Sequence, residues 1–125
     1  MNEATLAQIK EYQLLNPIFN TLLKEIKELS KKKPDDIINK FKADSVNKIL
    51  VRIKALLKKE PTNDFIEVIN ADTLPSNSDI VLLMVQFESS LIQFFNKYTS
   101  KDGFSYNRFW NGYKDLTIDG DEVAF

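Results

Sequence analysis

Cysteine and histidine are both missing from this 125-residue sequence, and glycine occurs only three times. Without those two side chains, the thiol nucleophile, the commonest general base and most zinc sites are excluded. Nothing points to a disulfide-forming compartment either. Gly103, Gly112 and Gly120 stand too far apart to build a phosphate-cradling loop or a dinucleotide fingerprint. A calcium loop centred on Gly103 would put Tyr98 first and Phe109 twelfth, where carboxylates are required. Long apolar runs are lacking as well: residues 80–85 form the unbroken core of the most apolar stretch, far short of the ~20 residues of a membrane span. No membrane span and no cofactor are expected.

What is present suits one folded domain over residues 1–125, with 43% hydrophobic and 28% charged residues. The first twelve residues have neither the basic start nor the apolar core of a secretory signal, so the cytoplasm is the expected compartment. Net charge is only −1, but its distribution is polar. Residues 24–59 carry twelve Lys/Arg against five Asp/Glu, a balance of +7, and residues 60–125 carry four against eleven, a balance of −7. Opposite stretches of this kind either pair within the fold or meet partners.

Periodicity predicts helices. The stretch 78–98 opens on Ser78 as N-cap with Asp79 at the positive end of the dipole. Ile80, Met84, Phe87, Leu91, Phe95 and Tyr98 then share one face, and this helix is expected at the centre of the fold. Residues 3–15 read as a first helix, and Asn16-Pro17 restarts the chain into a second reaching residue 32. Pro34-Asp35-Asp36 opens a third, and Ser45 a fourth that runs to Lys59. On that fourth helix Val46, Ile49, Leu50, Ile53, Leu56 and Leu57 oppose Lys48, Arg52, Lys54, Lys58 and Lys59. A short helix over 64–70 and a last one over 105–113 follow. The latter rests on Tyr106, Phe109, Trp110 and Tyr113 at i, i+3, i+4, i+7, read as a core stripe. A small hairpin around Asp119-Gly120, or an ordered tail, closes the chain. The expected fold is thus all-α, a compact bundle of five to six helices, with the helices 17–32 and 45–59 packed on 78–98.

Three functional classes are compatible with these residues. The first is a non-enzymatic interaction or regulatory module that binds another protein, or a second copy of itself, through the basic 24–59 and acidic 60–125 surfaces. The second is a nucleic-acid-backbone binder using Lys48, Arg52, Lys54, Lys58 and Lys59. The third is a hydrolase using Glu88, which projects into the apolar arc of its helix, or the acidic cluster Asp119/Asp121/Glu122. Stem packing with the carboxylate reaching solvent or Arg108 explains Glu88 more simply, and helix capping explains Asp35/Asp36. No catalytic residue and no metal site is assigned. In outline, a helical chain of this length with one basic face resembles small helical subunits of CRISPR effector complexes, bacteriocin immunity proteins and phage-encoded regulators. No motif carries a role from any of these onto a residue here. The expected function is protein binding, with nucleic-acid binding as the alternative.

Overall fold

A computed structural model describes residues 2–103 and 107–118. In chain order it contains α1 (Leu6–Lys32), α2 (Lys40–Leu56), a 3-10 turn (Pro61–Phe65), α3 (Asn77–Tyr98), and strands β1 (Thr99–Lys101), β2 (Arg108–Trp110) and β3 (Tyr113–Ile118). The strands form one antiparallel sheet in the order β1-β2-β3. The expectation of an all-α bundle of five to six helices is therefore overturned: three α-helices and a small sheet make up the described residues.

The first correction is at Pro17, which does not break the chain. α1 is one helix of 27 residues with Pro17 inside it. It starts on a capping box, in which the Thr5 hydroxyl accepts from the Gln8 amide and the Gln8 side chain accepts from the Thr5 amide. Its buried face runs through the proline without interruption, from Ile9, Tyr12 and Leu15 to Phe19, Leu23 and Ile26. A proline in a helix interior costs about 3 kcal/mol. Each fully buried large apolar side chain contributes about 1.5–3 kcal/mol, so the continuous face outweighs the lost hydrogen bond.

The second correction concerns residues 34–45. No helix starts at Pro34, because that segment is held against the start of α3. The Asn77 and Ser78 amides donate to the Asp36 and Pro34 carbonyls, the Ile38 amide donates to Pro75, and the Asn77 side chain donates to Lys33. Two first-turn amides of α3 are thereby satisfied by main chain. α2 begins instead at Lys40, capped by Asn39, whose side chain accepts from the Lys42 amide at 2.8 Å. It passes Ser45 without a break. Residues 66–70 form no helix; the Asn47 side chain bonds both the amide and the carbonyl of Ile69 and holds the segment against α2.

The third correction concerns the middle of the molecule. α3 is capped by Ser76 rather than Ser78, and it is not the central helix. α1 packs along both α3 and α2 and so lies between them. By length and composition α3 could cross a membrane, yet Ile80, Met84, Phe87, Leu91, Phe94 and Phe95 are buried in the core. Its opposite side carries Leu82, Val85, Gln86, Ser89, Gln93 and Asn96 towards solvent.

The last correction concerns the expected helix 105–113. Residues 108–110 and 113–118 are strands joined by Asn111-Gly112. Gly112 has φ +83°, the value that the third position of a type II turn requires. A Cβ at this position would also lie 2.9 Å from the Glu3 carboxylate. The sheet closes one end of the helices through Trp110. Its ring meets Tyr12 and Phe95 edge-on at 5.3 and 5.6 Å, while Tyr12 stacks on Phe94 and Phe95. The hairpin expected at Asp119-Gly120, and residues Tyr106, Asp119, Asp121 and Glu122, lie outside the described residues.

Candidate functional site

The five cations singled out on the basic stretch do not act as one face. Lys48 and Arg52 lie one turn apart on α2 and line a shallow groove with Phe41, Asp44, Ile49 and Val51. Arg52 is held by Glu11 of α1: its Nη2 and Nε donate to the two carboxylate oxygens at 2.6 and 3.0 Å. That hydrogen bond, and then the charge of Glu11, hold the guanidinium still more firmly protonated than usual. The pair ties the C-terminal half of α2 to the N-terminal half of α1, fixing their antiparallel arrangement. Lys54 faces elsewhere. Its ammonium donates to the carbonyls of Asn63 and Ile66 at 3.2 and 2.7 Å, closing the turn after α2. Lys58 and Lys59 follow the end of α2; Lys58 is exposed, while Lys48 and Lys59 keep their ammonium groups clear of any ion pair among the described residues.

Beside these cations lies an apolar cavity of about 320 Å³ between α1 and α2, lined by Leu22, Ile26, Leu29, Phe41 and Val46, with Glu25 and Lys42 at its polar edge. Phe41 is 81% exposed although it belongs to a regular helix. The apolar edge continues along α1 through the exposed Ile18 and Leu14. The sequence expectation puts Phe41 in a helix beginning at Pro34, together with Ile37 and Ile38. With α2 starting at Lys40, the same residue turns outward, and only the true N-cap, Asn39, signals this.

Glu88 is half-buried in a depression on the other side of α1, with Asn20, Lys24, Lys27, Glu28 and Lys31 around it. Arg108, the expected partner, donates instead from Nε and Nη2 to the Thr99 hydroxyl and stacks over Phe95 at 5.4 Å. No group of three potential metal-ligating side chains occurs among the described residues. Asp35 and Asp36 are exposed and lie outside any helix, so the capping role expected of them is not what they do.

No family model, curated protein or solved structure matches this chain. Its chemistry has to be read from its own surfaces.

One polar cluster escaped the sequence. Glu60, 8% exposed at its side chain, accepts from the Tyr98 hydroxyl at 2.8 Å and from the Lys97 ammonium at 3.1 Å. Burial, then the hydrogen bond with Glu60, raise the Tyr98 pKa above its ordinary value. The hydrogen bond to Glu60 raises that of Lys97. Glu60 and Lys97 are 37 positions apart, so no local pattern joins them. The cluster fastens the turn after α2 to the end of α3, and it is structural in character.

Proposed function

We propose that this chain is a non-enzymatic protein-binding module whose α1–α2 face receives an acidic segment with an apolar anchor. The observation that carries the reading is the arrangement of ion pairs. Among the described residues they join Lys31 to Glu28, Lys40 to Asp44, Arg52 to Glu11 and Lys97 to Glu60. None of them joins a cation of the basic stretch 24–59 to the acidic stretch that follows. Among the described residues, then, the acidic stretch does not neutralise the basic one, whose charge can steer a partner. Phe41 supplies what charge alone lacks. An exposed aromatic over an apolar cavity is the kind of residue that dominates binding energy when a partner covers it.

The test is affinity capture with the wild-type chain beside Phe41→Asp and Lys48→Glu/Lys58→Glu/Lys59→Glu, followed by calorimetry with the purified retained partner. The expected result is a partner bound at least about tenfold more weakly by both variants, since one lost hot spot costs about 1.4 kcal/mol or more. A partner bound equally by all three proteins would sink the proposal. A second reading, binding to a nucleic-acid backbone, rests on Lys48, Lys58 and Lys59, which no carboxylate engages among the described residues. Fluorescence anisotropy with labelled oligonucleotides decides it: binding that collapses with salt and in the triple variant would move the backbone reading to first place.

A further inference from the structure

Residues 119–125 read Asp-Gly-Asp-Glu-Val-Ala-Phe. Three carboxylates stand there without a cation, and two large apolar side chains, Val123 and Phe125, follow them. This is an acidic segment with an apolar anchor, and its chemistry matches the α1–α2 face. The cavity in that face is apolar inside, walled by Leu22, Ile26, Leu29, Phe41 and Val46. Phe41 also lines the neighbouring groove that holds Lys48 and Arg52, so the apolar pocket and the cations are continuous. Carboxylates are present too: Glu25 at the cavity edge and Asp44 in the groove. Asp44 is engaged by Lys40, and Arg52 is engaged by Glu11. Lys42, Lys48 and Glu25 make no ion pair among the described residues. Two free ammonium groups against one free carboxylate leave the face net positive.

A chain's own segment is badly placed to use this pocket. The sheet sits at the N-terminal end of α1, where Trp110 meets Tyr12 and Asn111 bonds Asn2. The cavity lies towards the other end of the helix. From Tyr12 to Ile26 the helix rises about 21 Å, at ~1.5 Å per residue. The segment of seven residues, 119–125, reaches at most about 23–25 Å when fully extended. Phe125 could meet its own cavity only with every residue stretched along the helix and none left to follow the surface. A second copy has no such constraint. We propose, on the reading of the α1–α2 face as a protein-binding surface, that residues 119–125 of one copy dock on that face of another. The carboxylates meet Lys42 and Lys48, and the apolar side chains that follow enter the cavity. Face and segment are different surfaces, so the contact is heterologous and propagates from copy to copy unless its geometry closes a ring.

The test is sedimentation velocity on the full chain over roughly 10 μM to 1 mM, where weak contacts of short segments show, with wild type beside Phe125→Ala and Phe41→Asp. Phe41 is exposed, and unchanged circular dichroism checks that both variants fold. The expected result is a wild-type mass that rises with concentration and falls at high salt, while each variant stays monomeric. Mixing the two variants should restore association and stop at pairs, because Phe125→Ala keeps its face and Phe41→Asp keeps its segment. A symmetric contact between two like faces gives no such complementation. Asp121→Lys/Glu122→Lys should weaken association at least about tenfold, the loss of its charge complementarity. A wild type monomeric throughout, association indifferent to Phe125→Ala, or a mixture that stays monomeric would overturn the proposal. So would a labelled peptide of residues 117–125 that binds Phe125→Ala but not a monomeric wild type, since the segment would then fill its own cavity. If the chain stays monomeric yet holds another protein through Phe41, self-association falls and the reading of the face stands. If a captured partner is indifferent to Phe41→Asp, the reading of the face falls with it.

Discussion

At the residue scale, the Glu60–Tyr98–Lys97 cluster makes a definite statement about pH. Tyr98 is neutral when protonated, and burial and the neighbouring Glu60 carboxylate favour that form in the folded chain. Its folded pKa is therefore higher than its unfolded one, near ~10. Stability from this difference is fully present below the unfolded pKa and is lost as pH rises through the folded pKa. Lys97 is shifted in the same direction by Glu60, so its contribution disappears over the same alkaline range. Thermal melts between pH ~8 and ~11 should show a fall in Tm beginning above about pH 10. Tyr98→Phe removes one titrating group and should flatten that fall. Equal slopes in the two proteins would mean that Tyr98 is not responsible. Histidine-driven changes near neutral pH are absent by composition, since the sequence has no histidine.

At the element scale, the three long helical stretches are legible in the sequence, but their boundaries are not, and the short helices expected over 64–70 and 105–113 are not formed. The apolar stripes of α2 and α3 lie where periodicity predicts, because burial on one face imposes a 3.6-residue repeat whatever the caps do, whereas on α1 Leu6, Leu14 and Ile18 are exposed and Tyr12 and Leu15 take the buried places. The ends depart from expectation where tertiary contacts override local signals. Pro34-Asp35-Asp36 looks like a helix start, but its carbonyls serve the first turn of α3. Asn16-Pro17 looks like a restart, but the buried face of α1 continues across it. The β2–β3 hairpin is legible in principle: Asn111-Gly112 is a turn dipeptide flanked by Arg-Phe-Trp and Tyr-Lys-Asp-Leu-Thr-Ile. The four aromatics of 106–113 also fit a helical repeat, and that coincidence hides it. The basic face is legible as composition, but not the separate engagement of Arg52 with Glu11 and of Lys54 with the turn. Pro17 gives a direct test of the continuous-helix account. It is exposed, and its ring removes one main-chain bond from the interior of α1. Pro17→Ala should restore that bond and raise stability by about 1–3 kcal/mol in urea unfolding. A destabilised variant would mean that α1 needs a break there.

At the scale of the whole molecule, the question is whether the small sheet is an appendage or part of the core. A short antiparallel sheet has little stability by itself in water. Here Trp110 is 1% exposed and buried with Tyr12 of α1 and with Phe94 and Phe95 of α3. The Asn111 side chain also donates to the Asn2 carbonyl at 2.7 Å, tying the turn of the hairpin to the start of the chain. Three distant parts of the sequence therefore meet at one indole, and none of them can leave without exposing it. Unfolding should then be a single transition, with Trp110 fluorescence and far-ultraviolet circular dichroism changing together in urea. Trp110→Ala should cost about 3–5 kcal/mol, as expected for emptying a large aromatic site, and should shift the helical signal as much as any local one. Trp110→Phe should cost clearly less. It keeps an aromatic ring in the cluster and deletes an indole N–H that is buried without a hydrogen-bond acceptor among the described residues. If the fluorescence change instead precedes the loss of helix, the sheet melts on its own. The sheet would then open before the α1–α2 face is disturbed, and the two would be separable by denaturant.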